Sequence, residues 1–173
     1  EKNMGDTVVT TLDLELQQTA YDALGGYNGA VVVMEPDTGK ILAMVSKPDF
    51  DPNSLDEIWD TLVSDESNTN LLNRATQGLY PPGSTFKIVT TLAYLRSGEN
   101  INDFHFDCQG EVTNGGYTIH CYNNNVHGPE DFATAFAKSC NSAFAQLGVD
   151  LNRTEFRNTA QDVLFNRDLP LDL

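Results

Sequence analysis

Two apolar runs separated by five residues, four of them turn-forming, constrain this chain more than any other feature. Gly29 to Glu35 carries Val31, Val32 and Val33 in a row, and Ile41 to Ser46 is the second run. Between them lies Pro36-Asp37-Thr38-Gly39. Proline restricts φ and glycine accepts φ above zero, so the four residues favour a turn. The pattern predicts an antiparallel hairpin, with the valines on a buried first strand. Upstream, Thr11 to Leu24 reads as a helix, with Leu12, Leu16, Ala20, Ala23 and Leu24 on one face. Thr11 or Asp13 can cap its start, and Gly25-Gly26 stops it.

Beyond the hairpin, Lys47 to Asn73 is expected to be a polar connection. It holds Asp49, Asp51, Asp56, Glu57, Asp60, Asp65 and Glu66, with Trp59 and Leu62 as anchors. A second helix is expected from Ser84 to Arg96, with Gly98 as its stop. Residues 104–128 read as a short β-rich excursion that turns at Asn114-Gly115-Gly116. Pro129 to Lys138 and Asn141 to Leu147 read as two helices, the second stopped at Gly148. Arg153 to Phe165 reads as another. The expected class is α+β: helices packed on a small antiparallel sheet. At 173 residues the chain is one ordinary domain or part of a larger one.

Charge removes some functions. The chain has 25 acidic and 10 basic residues, a formal net charge of −15. Such a surface repels phosphate backbones, so no nucleic-acid partner is expected. Apolar runs such as Ala30 to Met34 fall far short of the ~20 residues of a membrane-spanning helix. No basic segment followed by an apolar stretch opens the chain, so no signal peptide is expected in it. Its first residues, Glu1-Lys2-Asn3-Met4, read as a cut edge.

The chemistry concentrates in Tyr80-Pro81-Pro82-Gly83-Ser84-Thr85-Phe86-Lys87. The two prolines suit the approach to a helix, so Ser84 falls at a helix start. Lys87, three residues on, shares its face. A serine hydroxyl attacks a carbonyl only when a neighbour takes its proton, and a lysine of lowered pKa can do so. Free N–H groups at the helix start favour the resulting oxyanion. Spacing alone is weak: Ser-x-x-Lys arises by chance about 0.7 times in a chain of this length. Ser139-Cys140-Asn141 is the second element. Ser139 can simply cap the following helix; alternatively a hydroxyl and a carboxamide displayed together can relay a proton and hold a substrate amide.

Ser-x-x-Lys followed by Ser-x-Asn is the order found in penicillin-binding proteins and serine β-lactamases. The resemblance runs further. Gly5-Asp6-Thr7-Val8-Val9-Thr10-Thr11-Leu12-Asp13-Leu14-Glu15-Leu16-Gln17 resembles the opening of a penicillin-binding transpeptidase domain, as does the hairpin Gly29 to Met44. Pro48-Asp49-Phe50-Asp51-Pro52-Asn53, Asn73-Arg74-Ala75 and His127-Gly128 fit as well. Residues 5 to about 150 are similar to a class B, monofunctional penicillin-binding protein. The resemblance implies a D-alanyl-D-alanine transpeptidase of peptidoglycan stem peptides, acylated by β-lactams. Ser84 would be the nucleophile, Lys87 its general base, Ser139 the proton relay to the leaving group and Asn141 the holder of the substrate amide. No cofactor and no metal are implied. The parent would be anchored by an N-terminal helix, with this domain on the extracytoplasmic face of a bacterial membrane. Two alternatives use the same fold: a β-lactam-sensing module without turnover, and a class D-like β-lactamase.

The family's third motif, Lys-Thr-Gly or a variant, is absent from the sequence; the one Thr-Gly is Thr38-Gly39. The whole of 1–173 therefore reads as the N-terminal half of a transpeptidase domain, with the C-terminal strands missing. In the family that strand supplies an oxyanion donor, whose loss typically costs ~100- to 1,000-fold in rate. The chain alone is expected to be inactive or nearly so. A sheet edge left unpaired could promote self-association.

Cys108, Cys121 and Cys140 leave alternatives open. Cys108 and Cys121 could form a disulfide across a hairpin, or all three could be free thiols. His105, Cys108, His120 and Cys121 have metal-binding donor types, but their spacing matches no zinc pattern. Cys140 reads as a packing residue. Asp49, Asp51, Asn53, Glu57 and Asp60 follow calcium-loop spacing, but Ser54 and Pro52 break the pattern, and a solvated acidic loop is expected. His127 reads as a turn residue, Asn152-Arg153-Thr154 as a sequon without consequence, and Phe132, Phe136 and Phe144 as core.

Overall fold

Helix α1 (Leu14–Leu24) starts where Asp13 accepts a hydrogen bond from the Leu16 N–H, at 2.9 Å, and ends at Gly25, whose φ is 56°. Of the two capping candidates, Asp13 therefore serves. This computed structural model describes residues 5–168, so the reading of residues 1–4 as a cut edge lies outside it. The chain forms two compact units that divide between Tyr80 and Pro81.

In the first unit, β1 (Gly29–Met34) and β2 (Ile41–Lys47) pair antiparallel with Val31 opposite Val45 and Val33 opposite Ala43. Gly39, at φ 74°, closes the turn, and its N–H donates to Glu35 O. The hairpin packs one face on α1 around Ala20, Ala43 and Val45, with Leu24, Val31 and Val33. Strand β1 is thus half-buried rather than buried: Val32 and Met34 point away from the core and are exposed. Side chains alternate across a strand, so a run of three valines cannot all face one core.

The outer edge of β2 is covered by groups from and before α1. The Gln17 amide donates to Met44 O and accepts from Met44 N–H, both at 2.8 Å. Asp13 N–H donates to Leu42 O, and Thr11 Oγ1 donates to Ile41 O. A side-chain amide here pairs as a neighbouring strand would. Lys47 Nζ donates to Tyr21 O and Gly25 O, which places a cation at the carbonyl end of α1.

The stretch expected to be a polar connection contains helix α2 (Leu55–Ser64), which buries Leu62. Its acidic residues occupy the solvent face and hide the period. Asp51 does not join a calcium loop; it accepts from Asn53 N–H and begins a short turn into α2. A further short helix, α3 (Arg74–Gln77), follows, capped by Asn73.

The second unit opens with a 3-10 turn, Gly83–Phe86, and α4 (Lys87–Arg96) follows. The regular helix therefore begins three residues later than expected, with Ser84 inside the preceding turn. Strand β3 (His105–Cys108) pairs with β6 (Gly128–Asp131), and β4 (Glu111–Asn114) pairs with β5 (Tyr117–His120). Gly115 and Gly116, both at positive φ, make the two-residue turn between β4 and β5. Pro129 lies in β6, not at a helix start; the helix there, α5, spans only Phe132–Ala137 and is capped by Asp131. Helix α6 (Asn141–Asp150) runs through Gly148 rather than stopping at it, and α7 (Arg153–Asp162) follows an Asn152 cap.

The core of this unit is aromatic and sulfur-rich: Tyr94, Phe132, Phe144 and Leu147 pack with Cys108, Cys121 and Cys140. The Tyr94 and Phe132 rings stack at 5.6 Å, and Phe144 meets Phe132 at 5.8 Å. Phe136 is a correction: it touches Phe144 but stays 44% exposed, near the end of α5.

Candidate active site

Lys87 is the hub of the site. As the first residue of α4 it is partly buried, and its Nζ reaches four oxygens. It donates to Asn141 Oδ1 and Ser139 O, each at 2.7 Å, to Ser139 Oγ at 2.8 Å, and to Ser84 Oγ at 3.3 Å. Ser139 Oγ in turn donates to Ser84 Oγ at 2.9 Å. Asn141 Nδ2 donates to His120 O at 3.0 Å, which fixes the carboxamide with its oxygen toward the lysine. All four residues singled out from the sequence thus meet in one network.

Local backbone geometry sets their positions. Gly83, at φ 57°, turns the chain after Pro82 and leaves Ser84 exposed on the rim. Ser139 has φ 54°, a left-handed conformation that costs an L-residue roughly 1–2 kcal/mol. That conformation presents both its carbonyl and its hydroxyl to Lys87. Ser139 does not cap the following helix. Cys140 does, its Sγ accepting from Ala143 N–H at 3.4 Å. Serine is statistically the better cap, but here its hydroxyl is engaged with Lys87 and Ser84.

Burial lowers the Lys87 pKa from the ordinary lysine value, an effect partly opposed by Cys140 and Cys121. The direction matters because only the neutral amine can accept a proton. Protonated, the ammonium has three hydrogens for its three shortest partners. Neutral, it can donate to Asn141 Oδ1 and Ser139 O and turn its lone pair to a hydroxyl proton. The cluster can therefore strip Ser84 of its proton and return a proton through Ser139.

A cleft of about 390 Å³ lies over the network, lined by Ser84, Ser139 and Asn141 together with Tyr122, Asn125, His127 and Lys138. None of the last four is singled out as a site residue by the sequence, in which His127 reads as a turn residue. Tyr122 and Asn125 lie on the segment between β5 and β6 and carry no motif. Lys138 enters the sequence reading only as the end of the helix expected from Pro129.

The donors for a metal differ from the set considered in the sequence. His105 lies exposed on β3, and His120 pairs with Glu111 at 3.2 Å. Cys108 and Cys121 instead converge with His127 and Cys140, and the three cysteines are free thiols, with no disulfide between Cys108 and Cys121.

Residues 29–173 match a family described as the penicillin binding protein transpeptidase domain. The chain is 38% identical to the peptidoglycan D,D-transpeptidase PbpA of Mycolicibacterium smegmatis over 183 residues, covering 96% of this chain and 37% of that protein. Its fold matches the D,D-transpeptidase domain of a peptidoglycan glycosyltransferase from Eggerthella lenta with a TM-score of 0.86 and 36% identity, over 91% of this chain and 38% of that one. The penicillin G acyl-enzyme complex of penicillin-binding protein A from M. tuberculosis matches at a TM-score of 0.81 and 32% identity, over 91% and 40% of the two chains. The chain spans little more than a third of the length of these relatives.

Proposed function

The chain belongs to the penicillin-binding protein transpeptidase family, with class B members among its relatives, and from that membership we propose that it carries the nucleophile-bearing part of a peptidoglycan D,D-transpeptidase site. The observation that carries the reading is the closed network of Ser84, Lys87, Ser139 and Asn141.

Neutral Lys87 takes the Ser84 proton as Ser84 Oγ attacks the carbonyl between two D-alanines of a stem peptide. The new bond is Oγ–C. As the tetrahedral intermediate collapses, the C–N bond breaks and the terminal D-alanine leaves as an amine. Ser139, hydrogen-bonded to both Lys87 and Ser84, passes the proton back to that nitrogen. The amine of a second stem peptide then attacks the ester, forming the cross-link and freeing Ser84. Asn141 orients Lys87 through Oδ1 and holds the donor peptide's amide. A β-lactam follows the first half of this sequence: its ring amide opens on Ser84 and leaves an acyl-enzyme.

The 173 residues contain no Lys-Thr-Gly or Lys-Ser-Gly. One oxyanion donor is worth ~100- to 1,000-fold in rate, so the chain alone acylates slowly or not at all, and residues 1–173 act as the N-terminal half of the catalytic domain. A peptidoglycan substrate supports a position for that domain on the extracytoplasmic face of the bacterial membrane. The outer edge of β1 has no strand partner among the described residues; a second copy could pair there.

Intact mass after incubation with benzylpenicillin, beside a Ser84→Ala control, tests the assignment. The 173 residues alone should show little adduct. A chain that includes a Lys-Thr-Gly strand should gain one drug mass, and its Ser84→Ala variant none. An unlabelled longer chain that is folded would remove Ser84 from the role.

A further inference from the structure

Cys108 ends β3, Cys121 follows β5, His127 precedes β6 and Cys140 begins α6. Four separate places in the second unit thus send one donor each to the same point. The Sγ atoms of Cys108 and Cys121 are 3.7 Å apart, as are those of Cys121 and Cys140. Cys108 Sγ lies 3.6 Å from His127 Nδ1, and the four donor atoms all fall within 4.8 Å of one another. A tetrahedral ion with metal–sulfur bonds of ~2.3 Å and a metal–nitrogen bond of ~2.0 Å has S···S edges of about 3.8 Å and S···N edges of about 3.5 Å.

We propose that Cys108, Cys121, His127 and Cys140 form a structural zinc site that ties the Ser139-Cys140-Asn141 turn to the β-strands beside it. Three thiolates and an imidazole are a closed, soft donor set of the kind that selects zinc. Binding replaces three thiol protons with one dication, so the protons are released to solvent.

The three sulfurs are buried together. Cys108 and Cys140 are 0% exposed and Cys121 is 3% exposed. Each sulfur accepts a hydrogen bond or faces a donor. Gly110 N–H donates to Cys108 Sγ and Ala143 N–H to Cys140 Sγ, both at 3.4 Å, and Ser142 Oγ lies 3.2 Å from Cys121 Sγ. The Cys108-Gln109-Gly110 turn needs its glycine: φ is 88°, and a Cβ there would stand 2.7 Å from Asn124 O. Gly110 O also accepts from Cys121 N–H at 2.8 Å, joining two of the ligand segments.

A second observation points to a cation. The Glu130 side chain is fully buried, and neither carboxylate oxygen has a hydrogen-bond partner among the described residues. Its Oε1 lies 3.6 Å from His127 Nδ1 and 3.7 Å from Lys138 Nζ. A buried carboxylate without hydrogen bonds is costly. A dication held at His127 Nδ1, the ring nitrogen nearest Glu130 Oε1, supplies positive charge beside the buried carboxylate.

The test reads the metal directly. The chain is purified under reducing conditions with zinc in the medium, then analysed for zinc content and by zinc K-edge X-ray absorption. The expected result is one zinc per chain, with three sulfurs at ~2.3 Å and one nitrogen at ~2.0 Å. Cys121→Ser and His127→Ala should lose the zinc in competition with a chelator, while His105→Ala and His120→Ala should keep it. Glu130→Gln removes the buried charge beside the ion and should weaken zinc binding by ~10-fold or more. The spectrum of the unsubstituted protein decides the matter even if a cysteine variant fails to fold. Folded protein that takes up no zinc when it is returned overturns the proposal. So does a shell of oxygen and nitrogen only, or a Cys108–Cys121 disulfide that forms with zinc present.

Discussion

Ser139 Oγ lies 2.9 Å from Ser84 Oγ across a separation of 55 residues. The two hydroxyls share Lys87, so a proton can pass from one to the other without solvent. The positive φ of Ser139 makes this approach, and it links backbone conformation to chemistry.

Removal of the Ser139 hydroxyl should therefore slow acylation more than it loosens the fold. Ser139→Ala is expected to reduce the benzylpenicillin acylation rate by about 100-fold or more, the scale of one proton-transfer group. The measurement is the second-order rate in a chain that includes a Lys-Thr-Gly strand. Ser139→Val adds a β-branch at φ 54° and should also lower stability by ~1–2 kcal/mol relative to Ser139→Ala. Equal melting temperatures for the two variants would contradict the strain argument.

Lys87 should set the pH dependence. Burial lowers its pKa from the ordinary value of 10.5, and in the proposed mechanism the neutral amine is the reactive form. The acylation rate should rise with pH and level off above an apparent pKa lower than 10.5. The rate falls as Lys87 gains its proton, on the acid side. A profile that is flat, or that declines as pH rises through neutrality, would exclude Lys87 as the base. Lys87→Met should remove the inflection along with the activity.

Part of this site was legible in the sequence and part was not. The hairpin was, because two apolar runs and a Pro-Asp-Thr-Gly turn are local signals. Ser84, Lys87, Ser139 and Asn141 were singled out by family resemblance, since spacing cannot bring residue 87 to residue 141. Helix α2 was hidden because its acidic face dominates composition while Leu62 alone is buried. Strand β6 was misread because Pro129 suits a helix start equally well. The Cys140 cap was missed because Ser139 is the better cap by type, and local rules ignore its engagement with Lys87. His127 joins the cysteines only through the β3–β6 pairing, a non-local event.

Gln17 should matter to the first unit out of proportion to its exposure. Gln17→Ala removes both bonds to the Met44 backbone and leaves a partly buried edge unsatisfied, at a cost of ~1–3 kcal/mol. Gln17→Glu keeps an acceptor for the Met44 N–H but sets an oxygen against Met44 O, so it should be no better than alanine at neutral pH. Urea denaturation of the three proteins checks the order. Full stability in the alanine variant would show that water replaces the amide without loss.

Phe144 is the joint between the aromatic core and the site. It packs on Phe132 and Phe136, and its ring centroid is 5.8 Å from Lys87 Nζ. Phe144→Ala should cost ~3–5 kcal/mol. Phe144→Leu should cost less and still raise the apparent pKa of Lys87, because the smaller side chain admits water beside the amine. An unchanged pH profile in the leucine variant would assign the lowered pKa to other parts of the pocket.

Cys140 stands between Ser139 and Asn141 with no exposed surface. In zinc-depleted protein its sulfur can be reached by an alkylating reagent only when the first turn of α6 opens. The rate of that labelling is therefore a clock for the turn that holds the two hydroxyls together. An acyl group on Ser84 that braces the turn would slow the clock, and a ligand that pries it apart would speed it. Labelling at Cys140, read apart from Cys108 and Cys121 by peptide mass, would then report how tightly a given β-lactam closes the site.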